Sequence, residues 1–240
     1  MSIVYIISAP SGSGKSTLVS EILKLVPNLK FSISYTTRDP RGSETNGREY
    51  FFVPVSEFEQ MIRDDEFLEY AKVFGNYYGT ARRFLREAEE EGKDLLLDID
   101  VQGAEQIKKK LPEAVSIFIM PPDREKLERR LRNRGLDSEE VICRRLVTAS
   151  REIENYAKYD YILVNDLLDQ STEDLKAVVL AERLGPSEKK MPTEAEKQLL
   201  GTAERFRLEK ARERVQPIVA SFMTPAQPGC SETSIGGKQT

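Results

Sequence analysis

The stretch IVYIISAPSGSGKSTLVSEILKLV, residues 3–26, constrains the fold more than any other part of the chain. IVYIIS is short, apolar and rich in β-branched residues, so it reads as a buried strand. Leu18, Ile22 and Leu25 then recur on one face of a helix. A strand, a glycine loop, Lys-Ser and a helix in this order form a phosphate cradle, in which consecutive backbone N–H groups and the helix N-terminus surround an anion. Gly12 and Gly14 supply the tight backbone, Lys15 a charge for the β- and γ-phosphates, and Ser16 a hydroxyl for magnesium. The pattern GxxxxGK[ST] asks for glycine at Ala9, but a methyl group is tolerated if that residue ends the strand with negative φ. Ala9, Pro10, Ser11, Gly12, Ser13, Gly14, Lys15, Ser16 and Thr17 are therefore the expected nucleoside triphosphate site.

The rest of the chain alternates strand and helix patterns. FSISY and EYFFV read as strands around a loop containing glycine and arginine, and Ser56 with Glu59 reads as a capping box for VSEFEQMIRDD. FLEYAKVF and NYYGT flank a Gly75-Asn76 turn, and a helix is expected from about Ala81 to Glu91, stopped by Gly92. LLLDI, VSIFIM and YILV read as strands buried on both faces. This alternation predicts an α/β fold with a parallel sheet flanked by helices. At 240 residues and 39% hydrophobic content the chain can bury a full core. From Gly185 onward the composition turns charged and then rich in Pro, Gly, Ser and Thr. The extension 185–240 is therefore expected to be partly helical and solvated, then disordered, contributing little burial.

Composition excludes several functions. A net charge of −4 gives no field that would gather nucleic acid or an anionic membrane, so an anion site must be local. With no histidine, the chain lacks the commonest zinc ligand and general base. Cys143 and Cys230 are too far apart for a CxxC motif and are expected as free thiols in a reducing compartment. No apolar run approaches the roughly 20 residues of a membrane span, and MSIVYIIS lacks the basic flank of a signal peptide. A soluble cytoplasmic protein is expected. Asp98 ends the apolar run LLLDI, where an acidic residue is expensive unless it has a task. Beside a phosphate cradle that task is holding magnesium, so Ser16 and Asp98 are the expected metal residues. A helix cap, as at Asp100, is the alternative for such a carboxylate.

SYTTRDPRGSETNGREYFFV, EFLEYAKVFGNYYGT, LLLDIDVQGA, RLRNRG and ILVND, in this order behind the cradle, resemble the guanylate kinase family across residues 1 to about 184. The resemblance implies a core (1–32, 85–122 and 151–184) of the P-loop NTPase type, a small mixed or antiparallel GMP-binding insertion (33–84) and a helical lid (123–150). It implies transfer of the γ-phosphoryl group of ATP to GMP or dGMP with Mg2+. The implied GMP site is Ser34, Arg38, Arg41, Tyr50, Glu69, Tyr78, Thr80, Asp98 and Asp100. Thr80 stands where the family more often has serine and keeps the hydroxyl. Arg130, Arg134 and Arg145 match lid arginines, so that the implied catalytic set is Lys15, Arg38, Arg41, Arg130, Arg134 and Arg145. Asn165 matches a position on the ATP side. An ionised Glu69 can only accept hydrogen bonds, which suits the adjacent N1–H and N2–H2 donors of guanine, while the Thr80 hydroxyl can donate to O6. Glu69 could instead face solvent on an alternating strand. Two further readings stay open: a kinase for another phosphorylated acceptor, and a family-like interaction module that binds phosphopeptides without catalysis. Oligomeric state is left undetermined.

Overall fold

The computed structural model describes residues 2–73, 75–133, 135, 138–185 and 192–223. Its centre is a five-stranded parallel sheet. β1 (Val4–Ser8) lies in the middle, with β7 (Asp94–Asp98) and then β2 (Leu29–Phe31) on one side, and β8 (Val115–Met120) and β9 (Tyr161–Val164) on the other. Because successive strand residues point to opposite faces, β1 feeds two cores. Val4 and Ile6 join one, with Leu95, Leu97, Phe118 and Met120, while Tyr5 and Ile7 join the other, with Leu96, Ile117 and Ile119. This explains the unbroken apolar runs of β1 and β8, in which every position is buried, since helices cover both faces of the sheet.

A second, mixed sheet carries the insertion: β4 (Phe51–Phe52), β3 (Tyr35–Thr36), β6 (Asn76–Ala81) and β5 (Phe67–Val73) in that order, with β3 parallel to β4 and the other pairs antiparallel. A small aromatic core of Phe58, Met61 and Phe67 supports it. The chain also forms α1 (Lys15–Leu25), α2 (Val55–Arg63), α3 (Arg83–Glu90), α4 (Val101–Lys110), α5 (Arg124–Asn133), α6 (Glu139–Ile153) and α7 (Leu168–Leu184). On α1 the buried stripe is Leu18, Val19 and Ile22; Leu25 is exposed, contrary to the pattern read from spacing. The expected capping box at Ser56 does not form, because α2 starts one residue earlier with Pro54 as its uncapped N-cap.

Beyond Gly185 the structure corrects the expectation of a solvated segment. α8 (Glu194–Glu204) opens with a capping box of Thr193 and Glu196, and α9 (Leu208–Met223) follows it. Ala203 and Phe206 are buried in one core, and Ala211, Val215, Ile218 and Phe222 in the other. Between the helices, Phe206 accepts from the backbone N–H of Ile162 at 2.8 Å, and Leu208 donates to Asp160 at 3.0 Å. This segment therefore covers the outer edge of β9, where unpaired backbone would otherwise face solvent. Spread apolar residues among many charges concealed a buried stripe. The sequence beyond Met223, which includes Cys230 and the stretch expected to be disordered, lies outside the described residues. Cys143 is disulfide-bonded, which corrects the free-thiol expectation for it. Among the described residues no helix is long and apolar enough to cross a membrane.

Candidate active site

The loops at the carboxyl ends of β1 and β7 meet the insertion around a cavity of about 510 Å³. Backbone geometry makes the cradle. Gly12 and Gly14 adopt φ of +95° and +89°, which L side chains rarely reach, and Ser13 donates to the Pro10 carbonyl at 3.0 Å. A Cβ at Gly12 would lie 2.8 Å from Leu131 of α5, so the loop also needs glycine for close packing. α1 begins at Lys15 with no side-chain cap on Gly14, which leaves its first N–H groups directed at the cavity. Ala9 is buried beside β1, and its methyl group packs in the core with Ile7 and Leu18.

Lys15 forms an ion pair with Asp98 and donates to the Ile99 carbonyl at 3.3 Å. Ser16 and Asp98 both line the cavity. Among the described residues no group of three or more carboxylate or cysteine ligands gathers to hold a metal alone. That donor set suits magnesium, which keeps several waters and takes the rest of its ligands from substrate phosphates. Asp100 acts as the N-cap of α4, accepting from Gly103 N–H at 2.8 Å, and also lines the cavity.

The opposite wall comes from the insertion. Ser34, Arg41, Tyr50, Glu69 and Tyr78 all line the cavity, together with Ala71, Val73 and Asn76. Glu69 is only 3% exposed, which removes the solvent-facing alternative. A register shift between β5 and β6 at Phe67 to Glu69 accounts for three consecutive buried residues, because a bulge breaks the strict alternation. Burial pushes the Glu69 carboxyl up to about 7, and Asp100 adds to this, while Thr80 and Lys110 pull the other way. The Thr80 hydroxyl is fully buried next to Glu69 but has no hydrogen-bond partner of good geometry. Gly103 explains how α4 can pack there, since a Cβ on it would come 2.5 Å from Glu69 Oε2. Sequence reading passed over Gly103, although a glycine inside a helix is itself a sign of close approach. Burial, with Asp98 adding, pushes the Tyr50 phenol up to about 12, so it remains a donor.

The arginines divide. Arg41 and Arg145 line the cavity, as does Arg144, which also pairs with Glu140 at 3.3 Å. Arg38 is held away from the cavity wall by a two-pronged contact with Glu44 at 2.9 and 3.0 Å, and Arg38 in turn holds the Glu44 carboxyl below its usual range. Arg130 donates to the Asp166 carbonyl at 3.2 Å and is not brought to the cavity. Arg134 lies outside the described residues. Asn165 is also off the wall: its side-chain amide donates to the Ser13 carbonyl at 2.7 Å, and a Cβ at Gly14 would sit 2.3 Å from that nitrogen. Asn165 therefore braces the cradle from behind. Glu152, on the last turn of α6, lines the cavity and was not singled out from the sequence.

The family model described as guanylate kinase matches residues 1–182. A guanylate kinase of Koribacter versatilis is 55% identical over 228 residues, covering 94% of this chain and 97% of that protein. The Escherichia coli K12 guanylate kinase is 52% identical over 194 residues, or 80% of this chain and 94% of the relative. The wider span of the first match carries the similarity into the C-terminal extension. Among solved structures, the guanylate kinase of Anaplasma phagocytophilum superposes with a TM-score of 0.64 at 34% identity, covering 77% of this chain and 88% of the other. A phosphate cradle facing a buried carboxylate across one cavity, on a chain this similar over nearly its whole length, places the protein in the guanylate kinase family.

Proposed function

We propose that this chain transfers the γ-phosphoryl group of ATP to GMP, giving ADP and GDP, and that it also accepts dGMP. The observation that carries this reading is the shared cavity, with the triphosphate cradle on one wall and Glu69 on the other. A phosphate oxygen of GMP attacks the γ-phosphorus while the bond from that phosphorus to the β–γ bridging oxygen breaks, leaving ADP. The second ionisation of a phosphate monoester lies near pH 6, so the acceptor arrives nucleophilic at neutral pH and no histidine is needed. Two polyanions must approach, and Lys15, Arg41 and Arg145 offset their repulsion. Ser34, Tyr50 and Tyr78 supply hydroxyl groups for the GMP phosphate, and Glu69 with Thr80 reads the guanine edge.

Arg38 joins the acceptor site if GMP phosphate displaces Glu44, and Arg130 joins the transfer site if the lid, residues 123–150, closes and excludes water. Ser16 and Asp98 are the residues that would hold Mg2+, once nucleotide draws Lys15 off Asp98. Bound there, the metal would neutralise charge developing on the phosphates. ATP and GMP as partners fit a cytoplasmic setting. The reading as a non-catalytic phosphopeptide module is disfavoured, because such a module has no use for Lys15, Ser16 and Asp98 facing one cavity. Coupled ADP production with GMP, dGMP, IMP, AMP, CMP and UMP as acceptors tests the proposal. Turnover led by GMP and dGMP is expected; a pyrimidine nucleotide or AMP as best acceptor, or no turnover, would overturn it.

A further inference from the structure

α9 lies outside residues 1–182, the part that matches the family model, and it does more than cover the edge of β9. Its last turn makes two hydrogen bonds across the fold. Ser221 Oγ accepts from the backbone N–H of Arg124 at 3.2 Å, and the Phe222 carbonyl accepts from Ser150 Oγ at 3.3 Å. Arg124 is the first residue of α5, and Ser150 lies in the last turn of α6. The two bonds therefore fall where the lid, residues 123–150, leaves the core and where it returns. Adjacent residues of one helix hold both ends.

The Ser221 hydroxyl is fixed for this task, because it also donates to the Ile218 carbonyl at 2.6 Å and so keeps its lone pairs for Arg124. Asp123 caps the same turn of α5 by accepting from Lys126 N–H at 2.6 Å, which leaves Arg124 N–H, a first-turn donor without an intrahelical partner, to Ser221. α9 itself belongs to the core: Leu208 donates to the Asp160 carbonyl beside β9, and Ala211, Val215 and Ile218 are buried. An element that rotates moves least at its attachments, so a grip at Arg124 and Ser150 permits closure and leaves the span between them, with Arg130 and Arg145, free to swing. We propose that Ser221 is a positioning residue for phosphoryl transfer: together with the Phe222 carbonyl it makes both ends of the lid turn about one fixed point, so that closure delivers the lid arginines to one place and shuts water out. Without its hydroxyl the α5 end drifts relative to the α6 end. A misplacement of about 1 Å at reacting groups lowers turnover roughly a hundredfold, and a poorly shut lid lets a water oxygen attack the γ-phosphorus, releasing ADP, inorganic phosphate and a proton in place of GDP.

The proposal rests on the phosphoryl-transfer reading, and the full-length wild-type chain with ATP and GMP is the control for it: no wild-type turnover would defeat that reading before Ser221 is tested. Initial rates of ADP and of GDP formation are measured at saturating ATP and GMP. Wild type should give one GDP for each ADP. Ser221→Ala should lower kcat about three- to tenfold with KM for GMP nearly unchanged, and should form at least about two ADP for each GDP. Ser150→Ala, which removes the other bond, should act likewise, and the double variant should lose little more than either single one, because releasing one end already frees the lid. Each substitution places alanine inside a helix, so the variants should fold, and a melting curve on each checks this. The proposal is overturned if Ser221→Ala keeps the wild-type kcat and the one-to-one yield, whether or not its melting midpoint falls, since the bond would then be merely structural. It is also overturned if the losses of the two single variants add in the double, which would make the two bonds independent of each other.

Discussion

Glu69 must be ionised to accept from both guanine donors, but in the free protein burial holds its pKa near 7. GMP should therefore bind with a pH dependence that belongs to this one residue. The competent fraction is 1/(1 + 10^(7−pH)), so between pH 8 and pH 6.5 the apparent Kd for GMP should rise about fourfold. Protonation of the GMP phosphate, with its second pKa near 6, adds only about 1.3-fold over the same range. The sign for stability runs the other way. The folded pKa lies above the ordinary carboxylate value of 4.5, so the folded state keeps the proton longer, and stability is lost as pH rises from about 4.5 to 7. At 1.36 kcal/mol per unit, a shift of 7 − 4.5 = 2.5 units corresponds to about 3 kcal/mol at pH 8. Guanine, by giving the ionised carboxylate two donors, offsets that loss. Calorimetric titration of GMP at both pH values checks the binding side. Glu69→Gln should weaken GMP binding roughly ten- to several hundredfold and flatten the remaining pH slope to that of the phosphate alone. If wild-type Kd changes no more than about 1.3-fold, or if the variant retains the full slope, Glu69 does not read the base through its charge.

Three other perturbations follow from the geometry. Lys15→Ala should fold normally by circular dichroism and lower kcat by at least about a hundredfold, since it removes a preorganised charge from the phosphates; near-normal turnover would refute the cradle assignment. Gly103→Ala drives a methyl group against the Glu69 carboxylate, so KM for GMP should rise about tenfold with KM for ATP unchanged, while helix propensity holds or raises the melting midpoint. Unchanged GMP kinetics would mean that Glu69 can retreat without losing the base. Truncation after Gly185 removes Phe206, Val215, Ile218 and Phe222 from the cores; at about 1.5–3 kcal/mol each this totals roughly 6–12 kcal/mol, comparable to the stability of a whole domain. The truncated chain should be largely unfolded at room temperature, and a wild-type melting curve would refute that.

What could be read from sequence was what has a local signature. The cradle is contiguous, and the strands of the main sheet are apolar runs because both their faces are covered. Glu69 was reachable from donor and acceptor chemistry once the motif around it had been recognised. The bulge that turns Glu69 inward has no signature, however, because it depends on how β5 pairs with β6. Ser56 and Glu59 have the spacing of a capping box, but Pro54 had already set the helix start. Gly103 matters through a partner 34 positions away, Glu69, and no window of sequence joins them. The arginines were harder still. Arg38 and Arg41 lie in one short loop, yet Glu44 grips the guanidinium of the first and leaves the second on the cavity wall. α9 was misjudged because charge dominates its composition while Ala211, Val215, Ile218 and Phe222 supply a narrow apolar stripe.

The central position of β1 has a consequence for synthesis on the ribosome. Tyr5 is opposite Leu96 on one side and Val115 on the other, so the strand made first waits for partners made 91 and 110 residues later. At roughly 5–20 residues per second that is about 5–20 s during which a largely apolar strand has been made with no sheet to enter. The edge of β9 waits again, until Phe206 follows Ile162. The segment that carries the phosphate cradle is thus also the one most exposed to wrong pairing in the nascent chain. Holding it unpaired, by a chaperone or by the early folding of α1 against it, belongs to making this enzyme as much as the final packing does.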